Sequence, residues 1–242
     1  MEYAEFKELF SNSLHQNGFQ ALGESILERF YRFVIYLMEV NSVTNLTAIR
    51  NIVDAIPKHL IDSMLAAEFL PKGSKVLDLG CGPGFPSIPL AIFRPDLEIV
   101  ALDSTAKKIT FVKDASRLLG LTNLSAVVGR AEDRALMAEL GVFDVVISRA
   151  VAKMSILSEL CLPYVRNDGF LLALKAAKAE AELFEARSGI KTLGGGEAEL
   201  HNRLLTMLDG GMEPRCLIKV PKIKKTPPAY PRAFAAILKK PL

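Results

Sequence analysis

The sequence predicts an α/β fold with a mostly parallel sheet of seven strands, helices on both faces of the sheet, and a small helical extension at the N-terminus. Three observations predict it. From Lys75 onward, apolar runs of strand length alternate with segments of helical periodicity. A glycine-rich loop follows the first of these runs, as in open α/β sheets that bind cofactors. Residues 1–40 instead repeat apolar side chains at intervals of three and four, which indicates amphipathic helices.

The N-terminal region, residues 1–70, is predicted to be a helical region separate from the domain that follows. We interpret its aromatic side chains as the core of a helix bundle. A polar stretch, residues 41–49, interrupts the helical pattern before Pro57 begins a further helix. Because Pro71 and the residues after it end that helix, we assign residues 71–242 to the second domain, a sheet domain with a basic C-terminal tail.

The helix after Pro57 carries His59, Asp62 and Ser63 on one face. These residue types also form the catalytic triad of hydrolases. We reject that interpretation because one helix face rarely satisfies triad geometry and no oxyanion-stabilising element is evident. The roles of His59, Asp62 and the nearby Asn45 stay open at the level of sequence.

The second domain alternates strands and helices in the order of a parallel sheet with right-handed crossovers. The first five predicted strands are Lys75–Leu79, Glu98–Leu102, Leu124–Val128, Phe143–Ser148 and Phe170–Leu174. The helices predicted around them span about 86–93, 105–119, 131–140 and 152–162, with another beyond Lys175. Two late strands, near Leu200–Leu208 and Cys216–Val220, predict an antiparallel pair. The proline-rich stretch that follows is predicted to have no regular structure.

The glycine-rich loop, residues 80–84, has the spacing G-x-G-x-G, whereas a dinucleotide-binding loop needs G-x-G-x-x-G. Phe85 or Ser87 occupies the last position of that longer pattern, depending on the starting glycine. Asp78 lies two residues before the loop, inside the strand, where a buried carboxylate needs donors from loop amides or from a ligand ammonium. The pattern resembles that of the Class I S-adenosylmethionine-dependent methyltransferases, and it favours their Rossmann-like fold and cofactor over those of dehydrogenases.

Two further strand ends offer groups suited to an adenosine cofactor. Asp103 ends the second predicted strand, where an acid accepts hydrogen bonds from ribose hydroxyls. The alternative is that Asp103 caps the next helix, and we favour the ribose role. Residues 129–132 follow the third strand, where such sheets contact adenine. Ordinary helix capping by Glu132 is an equally good interpretation there.

Composition restricts the compartment and the partners. The chain has 242 residues and a net charge of +3, yet the stretch from Arg215 to the end holds eight Lys and Arg residues and no acid. That asymmetry predicts an anionic partner for the C-terminal end. Three widely spaced cysteines predict neither a disulfide framework nor a metal site. Since no signal peptide or membrane span is evident, we expect a cytoplasmic protein with no membrane partner.

The fourth strand ends at Ser148, Arg149 and Ala150, next to the expected position of the transferred methyl group. The Asn/Asp-Pro-Pro-aromatic run of enzymes that methylate exocyclic amines is missing here, and so is the Pro-Cys of pyrimidine C5 methyltransferases. We therefore predict an acceptor with its own lone pair, such as guanine N7. Because N7 carries no proton, no side chain is needed as base or nucleophile, and catalysis rests on alignment and electrostatics.

A set of short motifs is spread from about residue 41 to the C-terminus. They comprise residues 45–49, His59 with Asp62 and Ser63, the glycine loop with residues 85–90, residues 102–104 and 148–152, Lys175, residues 226–232 and the Lys-Pro-Leu end. In this combination the chain resembles the bacterial small-subunit rRNA guanine-N7 methyltransferase G family, also called glucose-inhibited division protein B. The resemblance implies S-adenosylmethionine-dependent methylation of a guanine N7 in the 530 loop of 16S rRNA.

The resemblance also implies site residues. The cofactor contacts that it implies are Gly80, Phe85, Ala131, Glu132 and Arg149. Arg149 could instead position the RNA, and the sequence leaves both roles open. We predict RNA contacts at Lys175, Lys222, Lys224, Lys225 and Arg232. The alternative for the tail is a solvated segment that covers the sheet edge. After residues 230–232 the family usually has a second basic residue and a glycine, whereas this chain has Ala-Phe-Ala-Ala.

The expected partner is 16S rRNA or the 30S subunit, and a monomer is favoured. Two other classes of function stay open at this point. The protein could be a cofactor-binding RNA assembly factor with little catalysis. It could also be a small-molecule methyltransferase, although the basic, acid-free C-terminal end argues against that.

Overall fold

The computed structural model describes residues 1–176 and 179–242. Seven strands form one sheet in the order β3-β2-β1-β4-β5-β7-β6. The strands are β1 (Lys75–Leu79), β2 (Glu98–Asp103), β3 (Leu124–Val128), β4 (Phe143–Arg149), β5 (Val165–Lys175), β6 (Glu199–Thr206) and β7 (Met212–Pro221). The first five run parallel, and β7 pairs antiparallel with both β5 and β6. The predicted α/β fold with a late antiparallel pair is confirmed.

In the part of the chain that the structure describes, ten α-helices surround the sheet. They are α1 (Tyr3–Gln16), α2 (Glu24–Thr44), α3 (Ile52–Ala55), α4 (Asp62–Met64), α5 (Ser87–Phe93), α6 (Ala106–Leu119), α7 (Arg134–Leu140), α8 (Met154–Cys161), α9 (Ala179–Thr192) and α10 (Phe234–Lys239). A π-helical turn, Ile56–Ile61, joins α3 to α4. The helix predicted from Pro57 is therefore a continuous segment whose middle turn is wider than an α-helix.

Several predicted boundaries differ from the structure, including the starts of β5, β7 and α7, and the proline-rich end differs as well. Helix α7 begins at Arg134 rather than at residue 131, because the Asp133 side chain accepts hydrogen bonds from the backbone N–H groups of Ala135 and Leu136 and so caps the helix there. The proline-rich end was predicted to have no regular structure, yet α10 forms once the chain has passed Pro231.

The core consists of two apolar clusters, one on each face of the sheet, because successive side chains of a strand point to opposite faces. One contains Val76 and Ile99 together with Phe6, Phe10 and other side chains of the N-terminal helices. The other contains alternate sheet residues and side chains of α8 and α9. The N-terminal helices thus pack into the same core as the sheet, and a domain boundary at residue 70 stays a prediction. Within the described residues, no helix is both long enough and apolar enough to cross a bilayer.

Candidate cofactor and acceptor site

The glycine loop turns sharply at the carboxyl end of β1. Gly80 has a φ of +77° and Gly84 a φ of +89°, a region that side-chain-bearing residues rarely adopt. A Cβ atom on Gly80 would lie 2.3 Å from Cγ2 of Val151, so the loop after β4 passes directly over this glycine. The backbone N–H of Gly80 donates to the carbonyl of Leu102 at 2.7 Å, which ties the loop to β2.

Asp78 is fully buried beneath this loop. Its Oδ2 accepts a hydrogen bond from the backbone N–H of Ser87 at 3.0 Å, whereas Oδ1 has no hydrogen-bond partner among the described residues. Burial raises the pKa of Asp78 to about 7, although the hydrogen bond from the Ser87 backbone N–H opposes that rise. A nearby cation, such as the ammonium of an amino-acid ligand, favours the ionised form of a buried carboxyl group and can use its free oxygen.

A cavity of ≈ 330 Å³ lies where β1, β2 and β3 end. Its lining combines the carboxylates Asp103 and Glu132 with the apolar side chains of Leu102, Leu160 and Phe234. Carboxylates accept hydrogen bonds from ribose hydroxyls and amino groups, and apolar walls suit a purine ring. The residues present therefore fit the adenosine half of S-adenosylmethionine.

Asp103 serves the loop as well as the cavity. Its Oδ2 accepts a hydrogen bond from the Gly82 N–H at 3.0 Å, and Oδ1 accepts one from the Thr105 N–H at 2.8 Å. The second bond closes the turn before α6; the N-cap of that helix is Thr105, so Asp103 does not cap it as the alternative from the sequence proposed. Because Asp103 also lines the cavity, one carboxylate can hold the loop and accept from a ribose, and the ribose role stays a prediction.

Replacing Asp103 with alanine should weaken binding of S-adenosylmethionine roughly 10- to 150-fold, because hydrogen bonds to a charged group are worth about 1.5–3 kcal/mol. Calorimetric titration of the purified variant measures this. Glu98→Ala, an exposed change at the other end of β2, serves as the control. Unchanged affinity in a folded Asp103→Ala protein would leave Asp103 with the loop-holding role alone.

A second cavity of ≈ 530 Å³ lies where β4 and β5 end. Ala150 and Val151 line both cavities, so the two are direct neighbours. Ala150 has a φ of +56°, which is uncommon for a residue with a side chain and sharpens the turn after β4. The polar side chains of this second cavity are Lys58, His59, Asp62, Arg149, Lys175, Glu182 and Arg215.

Asp62 pairs with two arginines in the second cavity. Oδ2 accepts a hydrogen bond from Arg149 Nη1 at 2.8 Å, and Oδ1 accepts one from Arg215 Nε at 2.7 Å. The side chains are 10% exposed for Asp62, 14% for Arg149 and 17% for Arg215, so the three charges are shielded from water. One carboxylate from the N-terminal region thus joins the ends of β4 and β7.

His59 completes this network as a neutral ring. Burial, followed by the charge on Arg149, lowers the pKa of His59 to about 3. Arg149 Nη2 lies 3.3 Å from Nδ1, and Thr47 Oγ1 lies 2.9 Å from Nε2. Because a guanidinium can only donate, Nδ1 is the acceptor, and the single ring proton sits on Nε2 and is donated to Thr47. Ser63 donates instead to the His59 carbonyl, so the hydrolase triad is absent from this helix face.

The predicted cofactor residues fall into two groups. Gly80, Asp103, Ala131 and Glu132 come together around the first cavity. Phe85 and Arg149 belong to the network beside the second cavity. The Phe85 ring stacks on His59 with centroids 4.2 Å apart, and the Arg149 guanidinium carbon lies 5.1 Å from the Phe85 centroid. This position favours the alternative role for Arg149, toward the acceptor, and contact of either residue with the cofactor stays a prediction.

Lys175 lies at the carboxyl end of β5 and lines the second cavity. Its Nζ donates to Glu182 Oε2 at 2.8 Å and to the carbonyl oxygen of Ala152. The predicted RNA residue therefore faces the predicted acceptor position. Asn45 lies outside both cavities: it ends α2 in a left-handed conformation and accepts a hydrogen bond from Arg50 at 2.7 Å.

Lys222, which was predicted to contact RNA, is buried in the structure. Its side chain is only 2% exposed, and Nζ donates to the carbonyl oxygens of Leu162 at 2.6 Å and Leu193 at 3.0 Å, and to the Thr226 hydroxyl. Burial lowers the pKa of Lys222 to about 8. This lysine therefore anchors the tail to the body of the protein.

Lys224 and Lys225 are exposed, but they lie far from both cavities. The backbone of Lys222 just before them pairs with Gly169, six residues before Lys175 along β5. At about 3.3 Å per residue, that places the start of the tail about 20 Å from the cavity end of the strand. Contact of these two lysines with RNA stays a prediction, for a surface at the opposite end of the sheet.

Arg232 is the partner of a buried acid. Glu159, on α8, is 0% exposed, and its carboxylate accepts hydrogen bonds from Arg232 Nε at 2.8 Å, from Nη2 at 2.5 Å and from the backbone N–H at 2.9 Å. The predicted RNA residue thus has a structural role, since Nε and Nη2 of its guanidinium are engaged within the protein.

Sequence reasoning missed several residues of the site, among them Glu182, Arg215 and Phe234. In the sequence, Arg215 stands out only as the start of a basic tail, and Phe234 only as part of a departure from the family pattern. No local signal identifies Arg215 as the partner of Asp62, because 153 residues separate them.

Comparison with known proteins agrees with this geometry. The family model GidB, described as rRNA small subunit methyltransferase G, matches residues 26–204. A Ribosomal RNA small subunit methyltransferase G from Lachnoclostridium phytofermentans is 41% identical over 239 residues, covering 96% of this chain and 97% of the relative. Its counterpart from Lactobacillus helveticus is 41% identical over 242 residues, covering 97% and 98%.

Among solved structures, M. jannaschii TYW2 in complex with AdoMet superposes with a TM-score of 0.53 at 18% sequence identity, covering 68% of this chain and 76% of that one. This likeness shows the fold. The sequence matches extend over nearly the whole chain and include both cavities. The chain therefore belongs to the GidB family, the rRNA small subunit methyltransferase G family, whose methyl donor is S-adenosylmethionine.

Proposed function

We propose that this methyltransferase modifies N7 of a guanine in the 530 loop of 16S rRNA. One observation supports this choice of acceptor above the others. The second cavity directly adjoins the cofactor cavity, and the hydrogen-bond acceptors among its described side chains are already engaged by cations. An acceptor atom that must lose a proton would find no free base there.

Each candidate base in this cavity is already occupied. His59 uses its lone pair to accept from Arg149, and its low pKa makes it a poor proton acceptor. Asp62 is held by Arg149 and Arg215, and Glu182 by Lys175. Guanine N7 needs none of them, because it presents a lone pair on the base edge and carries no proton.

The charges in the cavity also suit the product. When bound, S-adenosylmethionine supplies an electrophilic methyl group, and methylation leaves the guanine ring positively charged. Arg149 pairs with Asp62, Lys175 with Glu182, and Arg215 with Glu213 as well as with Asp62, so carboxylates offset the charge of these three cations. The same donors can bind guanine O6, which lies beside N7 on the same edge. The protein therefore orients the base and supplies a matched electrostatic environment.

The test compares two RNA substrates that differ in one atom. We expect transfer of a labelled methyl group from S-adenosylmethionine to 16S rRNA within 30S particles. Chemical cleavage of the RNA at 7-methylguanosine should then map the modified nucleotide to one guanine in the 530 loop. Reconstituted particles with 7-deazaguanine at that position should bind equally well and accept no methyl group. Transfer to the deaza substrate, or to a guanine elsewhere, would contradict the proposal.

A further inference from the structure

We propose that Phe234, in the C-terminal tail, packs against the nucleoside half of bound S-adenosylmethionine and forms the outer wall of the cofactor cavity. The proposal rests on the cofactor and is independent of the RNA atom that is methylated. It concerns a residue that lies where this chain departs from the pattern of its family, with Ala-Phe-Ala-Ala after residues 230–232.

The position of the ring carries the argument. Phe234 lines the same cavity as Asp103, the predicted ribose partner, and as residues 129–132 after β3, the predicted adenine side. The guanidinium carbon of Arg130 lies 5.0 Å from the centroid of the Phe234 ring. The other side of Arg130 is paired with Glu132, with Nε 2.5 Å from Oε1. The aromatic ring is therefore fixed beside the two residues that bound the purine site.

The tail holds the ring there. Arg232, two residues earlier, is bound to the fully buried Glu159 on α8. Ile237, three residues later, is 0% exposed and packs with the second core cluster. Leu160, the neighbour of Glu159, lines the same cavity as Phe234. The Arg232–Glu159 pair before the ring and Ile237 after it are thus two buried anchors that position the Phe234 side chain.

An aromatic ring is suited to this place. A purine presents a flat π-face, and aromatic pairs contribute about 0.5–1.5 kcal/mol beyond the area that they bury. Phe234 brings this surface to a cavity whose other apolar walls, Leu102, Leu160 and Val151, are aliphatic.

The first experiment measures dissociation constants by calorimetry for S-adenosylhomocysteine and for 5′-methylthioadenosine, which lacks the amino-acid part. Phe234→Ala should weaken both about 2- to 12-fold and by equal factors. Leu238→Ala, an exposed residue of the same helix, should change neither. Unchanged affinities for Phe234→Ala would overturn the proposal. A loss for S-adenosylhomocysteine alone would place the ring at the amino-acid half and overturn it as well.

The second experiment uses the absence of tryptophan from the sequence. Phe234→Trp introduces a single indole, whose emission should shift on saturation with 5′-methylthioadenosine, while Leu238→Trp should not respond. This measurement remains available if Phe234→Ala does not fold. An emission spectrum of Phe234→Trp that is unchanged at a concentration shown by calorimetry to saturate the site would also overturn the proposal.

Discussion

Replacing Asp62 with alanine should lower the free energy of unfolding by about 3–5 kcal/mol, because removing one partner of a shielded ion pair leaves the other charge uncompensated. Here the loss leaves Arg149 without its carboxylate partner and leaves Arg215 with Glu213, 2.9 Å from its Nη2. Methyl transfer should fall by roughly 100-fold even at temperatures where the variant is folded, since an acceptor displaced by about 1 Å reacts that much more slowly.

Urea unfolding and labelled methyl transfer measure the two effects separately. Asp54→Ala is the matched control, because Asp54 belongs to the same helical segment and its contacts with Lys58 at 3.6 Å and Asn51 at 2.7 Å lie on the surface. The control should stay within about 1 kcal/mol of the parent. Equal unfolding curves for Asp62→Ala and the parent would show that the two arginines do not depend on this carboxylate.

Replacing Arg232 with alanine should also destabilise the fold by about 3–5 kcal/mol, since it leaves the fully buried Glu159 carboxylate without its cation. A second change should reverse the first. In the Arg232→Ala background, Glu159→Leu removes the remaining buried charge and should restore much of the lost stability. Stabilisation on adding the second mutation is the signature of a coupled pair.

Chemical denaturation of the parent, the two single variants and the double variant completes this cycle. If Arg232 served RNA binding alone, Arg232→Ala would leave the unfolding midpoint in place and reduce only affinity for 16S rRNA. That result would restore the prediction made from the sequence.

Much of the fold was predictable because its signals are local. Apolar runs of strand length, separated by segments of helical periodicity, located the five parallel strands. The glycine spacing located the turn after β1. The first cavity followed from these, because the carboxyl ends of adjacent parallel strands meet at one edge of a sheet. Asp103 and Glu132 could therefore be placed together from their positions after β2 and β3 alone.

The partners of charged side chains were not predictable in the same way. A run of lysines with no acids indicates a surface, yet Lys222 is buried by carbonyl groups that lie 60 and 29 residues earlier in the chain. Asp62 and Arg149 were each identified as notable, but their pairing depends on how the N-terminal helices dock on the sheet. Periodicity does not encode that docking, so the second cavity became visible only in three dimensions.

The pair between Glu159 and Arg232 has a consequence for biosynthesis. Glu159, on α8, is synthesised 73 residues before its partner Arg232. A nascent chain on the ribosome can fold its early elements as they emerge, but it carries an uncompensated carboxylate in its interior until residue 232 is free. Translation products that stop before Arg232 should therefore be poorly stable and exposed to proteolysis.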